Sequence, residues 1–240
     1  MLKITYLDHS GFAVTTNDAI LVFDLFRDPS HALHKLMKEH PGLPVTFFVT
    51  HRHSDHFTPE IFNIAQDRQR TYVISNDIFS QDIPSTLRVA GMSPGDVIEN
   101  IPGTSRVKAY SSTAIGVSYL ATTTDGHTIF HAGDFNLWHW RDENTPQEAR
   151  KATEEFTKTL NSISSEIITI DVAMFPVDPR QGRNFAEGAR RFTKAIKVRH
   201  FIPMHFWGRY KEACLFSAYI ADPAHTCSYC LHTPGETINI

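Results

Sequence analysis

Short apolar runs rich in Val, Ile, Phe and Thr recur along the chain, and each reads as a strand: Lys3 to Thr15, Ala19 to Phe26, Val45 to Thr50, Tyr72 to Ser75, Arg106 to Ser111, Val117 to Thr123, Thr128 to His131, Val172 to Val177 and Phe201 to His205. Apolar positions at helical spacing among good helix formers predict helices over His31 to Glu39, Pro59 to Arg70, Gln147 to Leu160, Phe185 to Lys197 and Arg209 to Ile220. Thr58 as a cap and Pro59 in the first turn mark the start of the second of these. The first half is thus strand-heavy, and the second alternates helix with strand. Asp125-Gly126, between two of the strand runs, is a hairpin turn signal. No internal repeat, low-complexity tract or flexible linker interrupts the pattern, so one domain over residues 1–240 is expected.

The run Val45 to Thr50 leads directly into His51-Arg52-His53-Ser54-Asp55-His56, which packs three imidazoles and a carboxylate into six residues. In an extended segment, residues two apart point the same way, so His51 and His53 can grip one ion while Asp55 and His56 reach a neighbouring one. Further along, His131-Ala132-Gly133-Asp134 closes the strand after the hairpin, with a glycine that lets backbone approach closely, and His205 tips another apolar strand. The loop favours ligation on its own over a merely solvated one, whereas Asp134 and His205 taken singly read as a turn aspartate and a buried histidine. Their order along one chain favours a shared metal centre.

Composition narrows the field. A length of 240 residues with 41% hydrophobic content supports one sizeable core, and a net charge of -3 lacks the basic excess expected for a nucleic-acid or anionic-membrane partner. No stretch has the apolar length of a bilayer span and no signal-peptide core opens the chain, so a cytoplasmic location is the expectation. Three cysteines, an odd number, argue against a disulfide framework and fit a reducing compartment. Cys227 and Cys230, flanked by His225 and His232, are spaced more tightly than zinc-finger ligands and read as ordinary thiols, and Cys214 reads as a packing residue. The basic stretch Arg190, Arg191, Lys194 and Lys197 reads as a solvated helix face.

The H-x-H-x-D-H of His51 to His56, the Gly133-Asp134 pair and the late His205, in this order, resemble the metallo-β-lactamase fold superfamily. Leu7-Asp8-His9-Ser10-Gly11-Phe12, Phe130 to Asp134, Pro176-Val177-Asp178 and Pro203-Met204-His205-Phe206-Trp207 resemble its ascorbate-phosphate lactonase-like branch, and the resemblance extends over nearly the whole chain. It implies an α+β fold, a four-layer αββα sandwich with ligands on loops along one edge. It also implies a metal set of His51, His53, Asp55, His56, Asp134 and His205, with Asp134 bridging two ions and Asp24 bracing the histidine loop. The chain departs from the family at one point: where a third histidine of the first ion is expected, it reads Tyr110-Ser111-Ser112-Thr113. The expectation is therefore one firmly held divalent ion at the second set, or two with the first held more weakly, with His139 as the leading substitute ligand and His131 as a supporting residue.

Zinc or manganese suits this mixed nitrogen and oxygen set, and iron is compatible. Such an ion lowers the pKa of coordinated water from about 15.7 toward about 7, which implies a hydrolase. Asp134 would orient the nucleophile, Asp55 and His139 are candidates to carry a proton to the leaving group, and Arg180 and Arg183 are candidates to hold an anionic substrate group. His9 reads as a structural residue of the first hairpin, with a place in the pocket as the lesser alternative, and the tryptophans 138, 140 and 207 as core aromatics or pocket lining. The expected partner is a small molecule bearing an ester, lactone or phosphoester, with neither nucleic acid nor membrane involved and a homo-oligomer compatible. A non-catalytic metal-binding or sensor protein and a phosphodiesterase or nuclease are the alternatives.

Overall fold

A computed structural model describes residues 1–220 and 222–240. The strands are β1 (Lys3–Asp8), β2 (Gly11–Thr15), β3 (Ile20–Phe23), β4 (Val45–Val49), β5 (Arg70–Ser75), β6 (Ala90–Met92), β7 (Val97–Ile101), β8 (Thr104–Ser111), β9 (Val117–Thr123), β10 (Thr128–His131), β11 (Thr169–Pro176), β12 (Lys197–Met204), β13 (Cys227–Ser228) and β14 (Thr237–Asn239). They form two seven-stranded mixed sheets, ordered β14-β1-β2-β3-β4-β5-β6 and β13-β12-β11-β10-β9-β8-β7. The helices are α1 (Ala32–Glu39), α2 (Pro146–Ser164), α3 (Glu187–Ala195) and α4 (Tyr210–Cys214). None is long and apolar enough to cross a membrane.

The two-residue period of a strand sorts side chains to opposite faces, and the first sheet shows it plainly. Phe12, Val14, Leu21, Phe23 and Phe48 join Val107, Tyr119 and Ala121 of the second sheet in the inter-sheet core. Their neighbours Ala13, Ile20, Val22, Phe47 and Val49 pack instead with Leu33, Leu36 and Met37 of α1. On the far side of the second sheet, Phe156 of α2 stacks on Phe135 at 5.1 Å, and Phe192 of α3 on Phe175 at 4.6 Å. The layers are α1, sheet, sheet, then α2 with α3, which is the αββα arrangement the resemblance implies.

Local chemistry sets the ends of α2: Thr145 and Glu148 form a reciprocal capping box, with Pro146 at the first helical position. The expected helix from Pro59 to Arg70 shrinks to a single 3-10 turn, Pro59–Asn63. Its start is as expected, since Thr58 accepts from Glu60 N–H. It ends early because Ala65 sits at φ 55°, and because Arg70 and Thr71 join β5, pairing parallel with Val45 and Thr46. The helix expected over Arg209 to Ile220 is likewise split into α4 and a 3-10 segment, Leu215–Tyr219. Four short strands, β6, β7, β13 and β14, carry too little apolar pattern to stand out in the sequence.

The cysteine expectation is corrected here. Cys214 is bonded to Cys230 with a Cα–Cα distance of 5.4 Å, and the thiol left free and exposed is Cys227. The bond staples the end of α4 to the C-terminal segment, a pairing of residues 16 apart that the C-x-x-C spacing conceals. In the chain-entropy account, closing a loop of this size is worth about 3 kcal/mol. Denaturant unfolding with and without reductant should therefore differ by about that amount, and a Cys214→Ser variant should lose its sensitivity to reductant.

Candidate metal centre

All the candidate ligands sit where strands end along one edge of the sandwich. β4 ends at Val49 and delivers Thr50 and the His51–His56 loop, β10 ends at His131 three residues before Asp134, and β12 ends at Met204 just before His205. The turn between β1 and β2 adds His9. Four non-glycine residues here lie in the left-handed region, His9 (φ 54°), Asp24 (φ 43°), His205 (φ 62°) and Trp207 (φ 45°). Strain of this kind persists only where surrounding structure enforces it, and it commonly marks a functional site. Two glycines allow the loops to converge: a Cβ on Gly116 would lie 2.4 Å from the His51 Cβ, and one on Gly133 would lie 2.7 Å from Thr50 Oγ1.

The side chains fall into two groups joined by Asp134. His51 Nε2, His53 Nδ1 and an Asp134 oxygen lie within 4.8 Å of one another, as do donors of His9, Asp55, His56 and His205. Asp134 Oδ2 is 3.3 Å from His51 Nε2, and its Oδ1 is 3.1 Å from His56 Nε2 and 3.2 Å from His205 Nε2. One carboxylate thus reaches both groups. Asp55 Oδ2 is 3.3 Å from His9 Nε2 and 3.6 Å from His205 Nε2.

Hydrogen bonds behind the cluster settle which ring nitrogens face it. Asp24 is fully buried and accepts from Thr50 N–H (2.8 Å), the Thr50 hydroxyl (2.6 Å) and His56 Nδ1 (2.7 Å). Because the Thr50 proton goes to Asp24, the hydroxyl must accept from His51 Nδ1–H at 3.0 Å, so His51 presents the Nε2 lone pair inward. Asp178 does the same for His205, accepting from Nδ1 at 3.1 Å. Carboxylate or hydroxyl behind, lone pair in front, is the arrangement of metal-bound histidines.

The front of the cluster fits a cation for a further reason. His56 Nε2, Asp134 Oδ1 and both His9 nitrogens are buried without a hydrogen-bond partner among the described residues. Each such orphan costs about 1–3 kcal/mol, and a shared cation relieves them together.

The titration of the cation-free site agrees with this. Burial alone would push His56 down, but the nearby Asp134 carboxylate and the hydrogen bond and charge of Asp24 outweigh it and raise the imidazole to about 10. Asp134 lies well below the usual carboxylate range because His205, His51 and His56 overcome its desolvation. Asp55 is held down against burial by His9, His56 and His205. Burial pushes His9 to about 4, against the pull of Asp55. The raised His56 stabilises the cation-free fold fully below its unfolded value of about 6.5, and that contribution disappears as pH rises through about 10. Chelator-treated protein should therefore melt at a lower temperature at pH 10.5 than at pH 7, and the metal-loaded protein should show a smaller difference. Metal uptake should also release protons to the buffer.

Other sequence expectations resolve differently. His139 is not among the converging donors: burial lowers its pKa, and its Nε2 lies 3.2 Å from the Asn184 carbonyl. It is therefore neither the substitute ligand nor placed to deliver a proton. Ser111 is exposed at the end of β8, and Ser112 Oγ accepts from Ala114 N–H within the turn. His131 is a support, with Nε2 2.8 Å from the Ser10 carbonyl and its ring stacked on Phe23 at 5.4 Å.

Arg180 is bonded to Asp178, which in turn holds His205, and its guanidinium lies 5.3 Å from the Trp207 ring. Arg183 pairs with Asp142 and lines a separate cavity of about 650 Å³ with Arg141 and Arg150. Two participants were given no ligand or bracing role by the sequence. His9 was visible as a polar hairpin residue, but nothing local announced its burial, and Asp178 was visible only as part of a motif.

Two sheets face to face, helices outside and histidine and aspartate donors on one edge define a protein with the metallo-β-lactamase fold. No family model matches the chain. It is similar to a UPF0173 metal-dependent hydrolase from Nitratidesulfovibrio vulgaris, 27% identical over 257 residues that span 99% of this chain and 95% of the relative. A UPF0173 metal-dependent hydrolase from Pyrococcus furiosus is 26% identical over 217 residues, 86% of this chain and 85% of the relative. Among solved structures, the metallo hydrolase Igni18 from Ignicoccus hospitalis superimposes with a TM-score of 0.69 at 18% identity, covering 99% of this chain and 97% of its own. The metallo-β-lactamase fold protein YhfI from Bacillus subtilis gives 0.61 at 13% identity over the full length of both chains.

Proposed function

We propose that the chain is a metal-dependent hydrolase acting on a small, anionic ester, lactone or phosphoester. The observation that carries this is the convergence of His51, His53, Asp55, His56, Asp134 and His205 on one edge, with Asp134 reaching both groups. These residues would hold a divalent cation, which when bound would supply activation of water near neutral pH and polarisation of the substrate's electrophilic oxygen. The likeness to UPF0173 metal-dependent hydrolases over nearly the whole chain supports the same class of activity.

The chain's own residues divide the remaining work. Asp24 and Asp178 hold His56 and His205 in one tautomer, so the donors are oriented before substrate arrives. Asp134 and Asp55 remain carboxylates throughout the physiological range, which suits them as donors to a cation and leaves neither a proton to give at rest. Arg180 uses Nε and one terminal nitrogen on Asp178, and its other terminal nitrogen has no partner among the described residues. We assign that exposed edge, beside Trp207, to an anionic substrate group. Arg183, engaged by Asp142, is the weaker choice.

The test is hydrolysis of a panel of lactones, carboxylic esters and phosphoesters by protein reconstituted in turn with zinc, manganese and iron. Turnover that requires metal and weakens in KM with Arg180→Ala, most for anionic substrates, supports the assignment. Full metal loading with no turnover of any panel member favours the sensor alternative.

A further inference from the structure

The metal reading leaves one buried residue without a task, and it is placed against the cluster. His9 is 3% exposed, neither ring nitrogen has a hydrogen-bond partner among the described residues, and Nε2 lies 3.3 Å from Asp55 Oδ2 without hydrogen-bond alignment. Its backbone is pinned on both sides: His9 N–H donates to the Tyr6 hydroxyl at 2.7 Å, and its carbonyl accepts from His205 N–H at 3.2 Å. The ring is wedged between His205 (centroids 4.2 Å apart) and Trp207 (4.4 Å), with Phe26 edge-on at 6.0 Å. A histidine held this firmly, in a left-handed backbone, with no partner for either nitrogen, is built to meet something absent from the protein chain.

Resting on the metal-centre reading above, we propose that His9 is a metal ligand that completes the group of Asp55, His56 and His205. That group then offers three imidazole nitrogens and the Asp55 oxygen beside the shared Asp134 oxygen, a filled donor set suited to a tightly held ion. The other group has His51, His53 and a share of Asp134, with no further His, Cys, Asp or Glu grouped with His53 among the described residues, and His53 is half exposed to solvent. Sites that keep an open position are the ones that exchange water and substrate. The two groups therefore have different tasks. The His9 group anchors one ion and fixes Asp134, and the His51/His53 group holds a second, weaker ion whose free position faces solvent. The nitrogen missing from the Ser111–Ser112 stretch is not restored on its own side. It is balanced by one gained on the other.

The experiment loads the protein with cobalt or zinc and removes metal with a graded series of chelators, counting equivalents retained and recording the cobalt visible spectrum. Wild-type protein should lose metal in two steps, and His53→Ala should lack the weak step while keeping the tight one. His9→Ala should weaken the tight step by at least about 100-fold, beyond the 10–100-fold typical of losing a supporting residue. It should also change the intensity and position of the cobalt visible bands. His9→Asp, whose side chain tolerates the left-handed backbone and returns a donor atom, should recover part of the affinity, which a purely structural role for His9 would not produce.

An unchanged tight step and spectrum in His9→Ala, in protein whose circular dichroism matches wild type, would overturn the assignment of His9. So would loss of the tight ion from His53→Ala. Wild-type protein that retains no transition metal would instead remove the metal centre itself, a failure distinguishable from that of His9 alone.

Discussion

Replacing Asp134 with alanine is expected to empty both sides of the centre at once. Its two oxygens lie 3.3 Å from His51 Nε2, 3.1 Å from His56 Nε2 and 3.2 Å from His205 Nε2, so this one carboxylate faces the inward nitrogens of both groups. Loss of a residue that only supports a ligand typically lowers metal affinity 10–100-fold, and loss of a shared ligand should exceed that, by at least about 100-fold on each side. Hydrolytic turnover at limiting metal should fall in step. The fold should survive, because the buried imidazoles can shed their protons once the carboxylate that holds them charged is gone. Circular dichroism of the variant checks this. His56→Ala should deplete mainly one group, and Ser112→Ala should change nothing, since its hydroxyl serves only the local turn. Wild-type metal content in Asp134→Ala would refute the bridging role and, with it, the shared centre.

What could be read from the chain beforehand follows from how local each signal is. His51, His53, Asp55 and His56 are contiguous and follow an apolar strand, so periodicity alone places them on one loop. Asp134 and His205 are legible because each follows closely on a strand end, and strand ends in a sandwich gather at an edge. Asp24 was expected to brace the loop, and the geometry supplies the means: it touches both Thr50 and His56. His9 and Asp178 depend on long-range packing, the turn after β1 against the residue after β12, and that docking leaves no mark on the neighbouring sequence.

The same holds for the errors. Arg70 is pulled into β5 by pairing with Val45, 25 positions earlier, and this tertiary pairing overrides a locally reasonable helix. Cys214 meets Cys230 because α4 folds against the C-terminal segment, where Tyr210 stacks on His232 at 4.3 Å. Neither contact has a short-range signature.

Exchanging Asp24 for asparagine should weaken metal binding about 10–100-fold although no proposed ligand is altered. The substitution conserves shape but turns one acceptor oxygen into a donor NH₂. Thr50 N–H can still give its hydrogen bond to the remaining oxygen. The NH₂ then faces the Thr50 hydroxyl and His56 Nδ1, both of which donate to Asp24 in the native protein. The hydroxyl must turn to accept, so it donates instead to His51 Nδ1, and the His51 proton moves to Nε2, where the lone pair for metal had been. His56 is driven the same way, its Nδ1 becoming an acceptor and its Nε2 a donor. One buried atom thereby blocks an inward nitrogen in each group. Thr50→Val provides the contrast, since it removes the hydroxyl behind His51 but leaves the Asp24–His56 bond, and so should loosen only the His51/His53 ion. Chelator titration of the two variants separates the cases: Asp24→Asn should displace both release steps and Thr50→Val one. If Asp24→Asn releases metal as the wild type does, the tautomers are not set from behind, and the orientation of the cluster must come from packing alone.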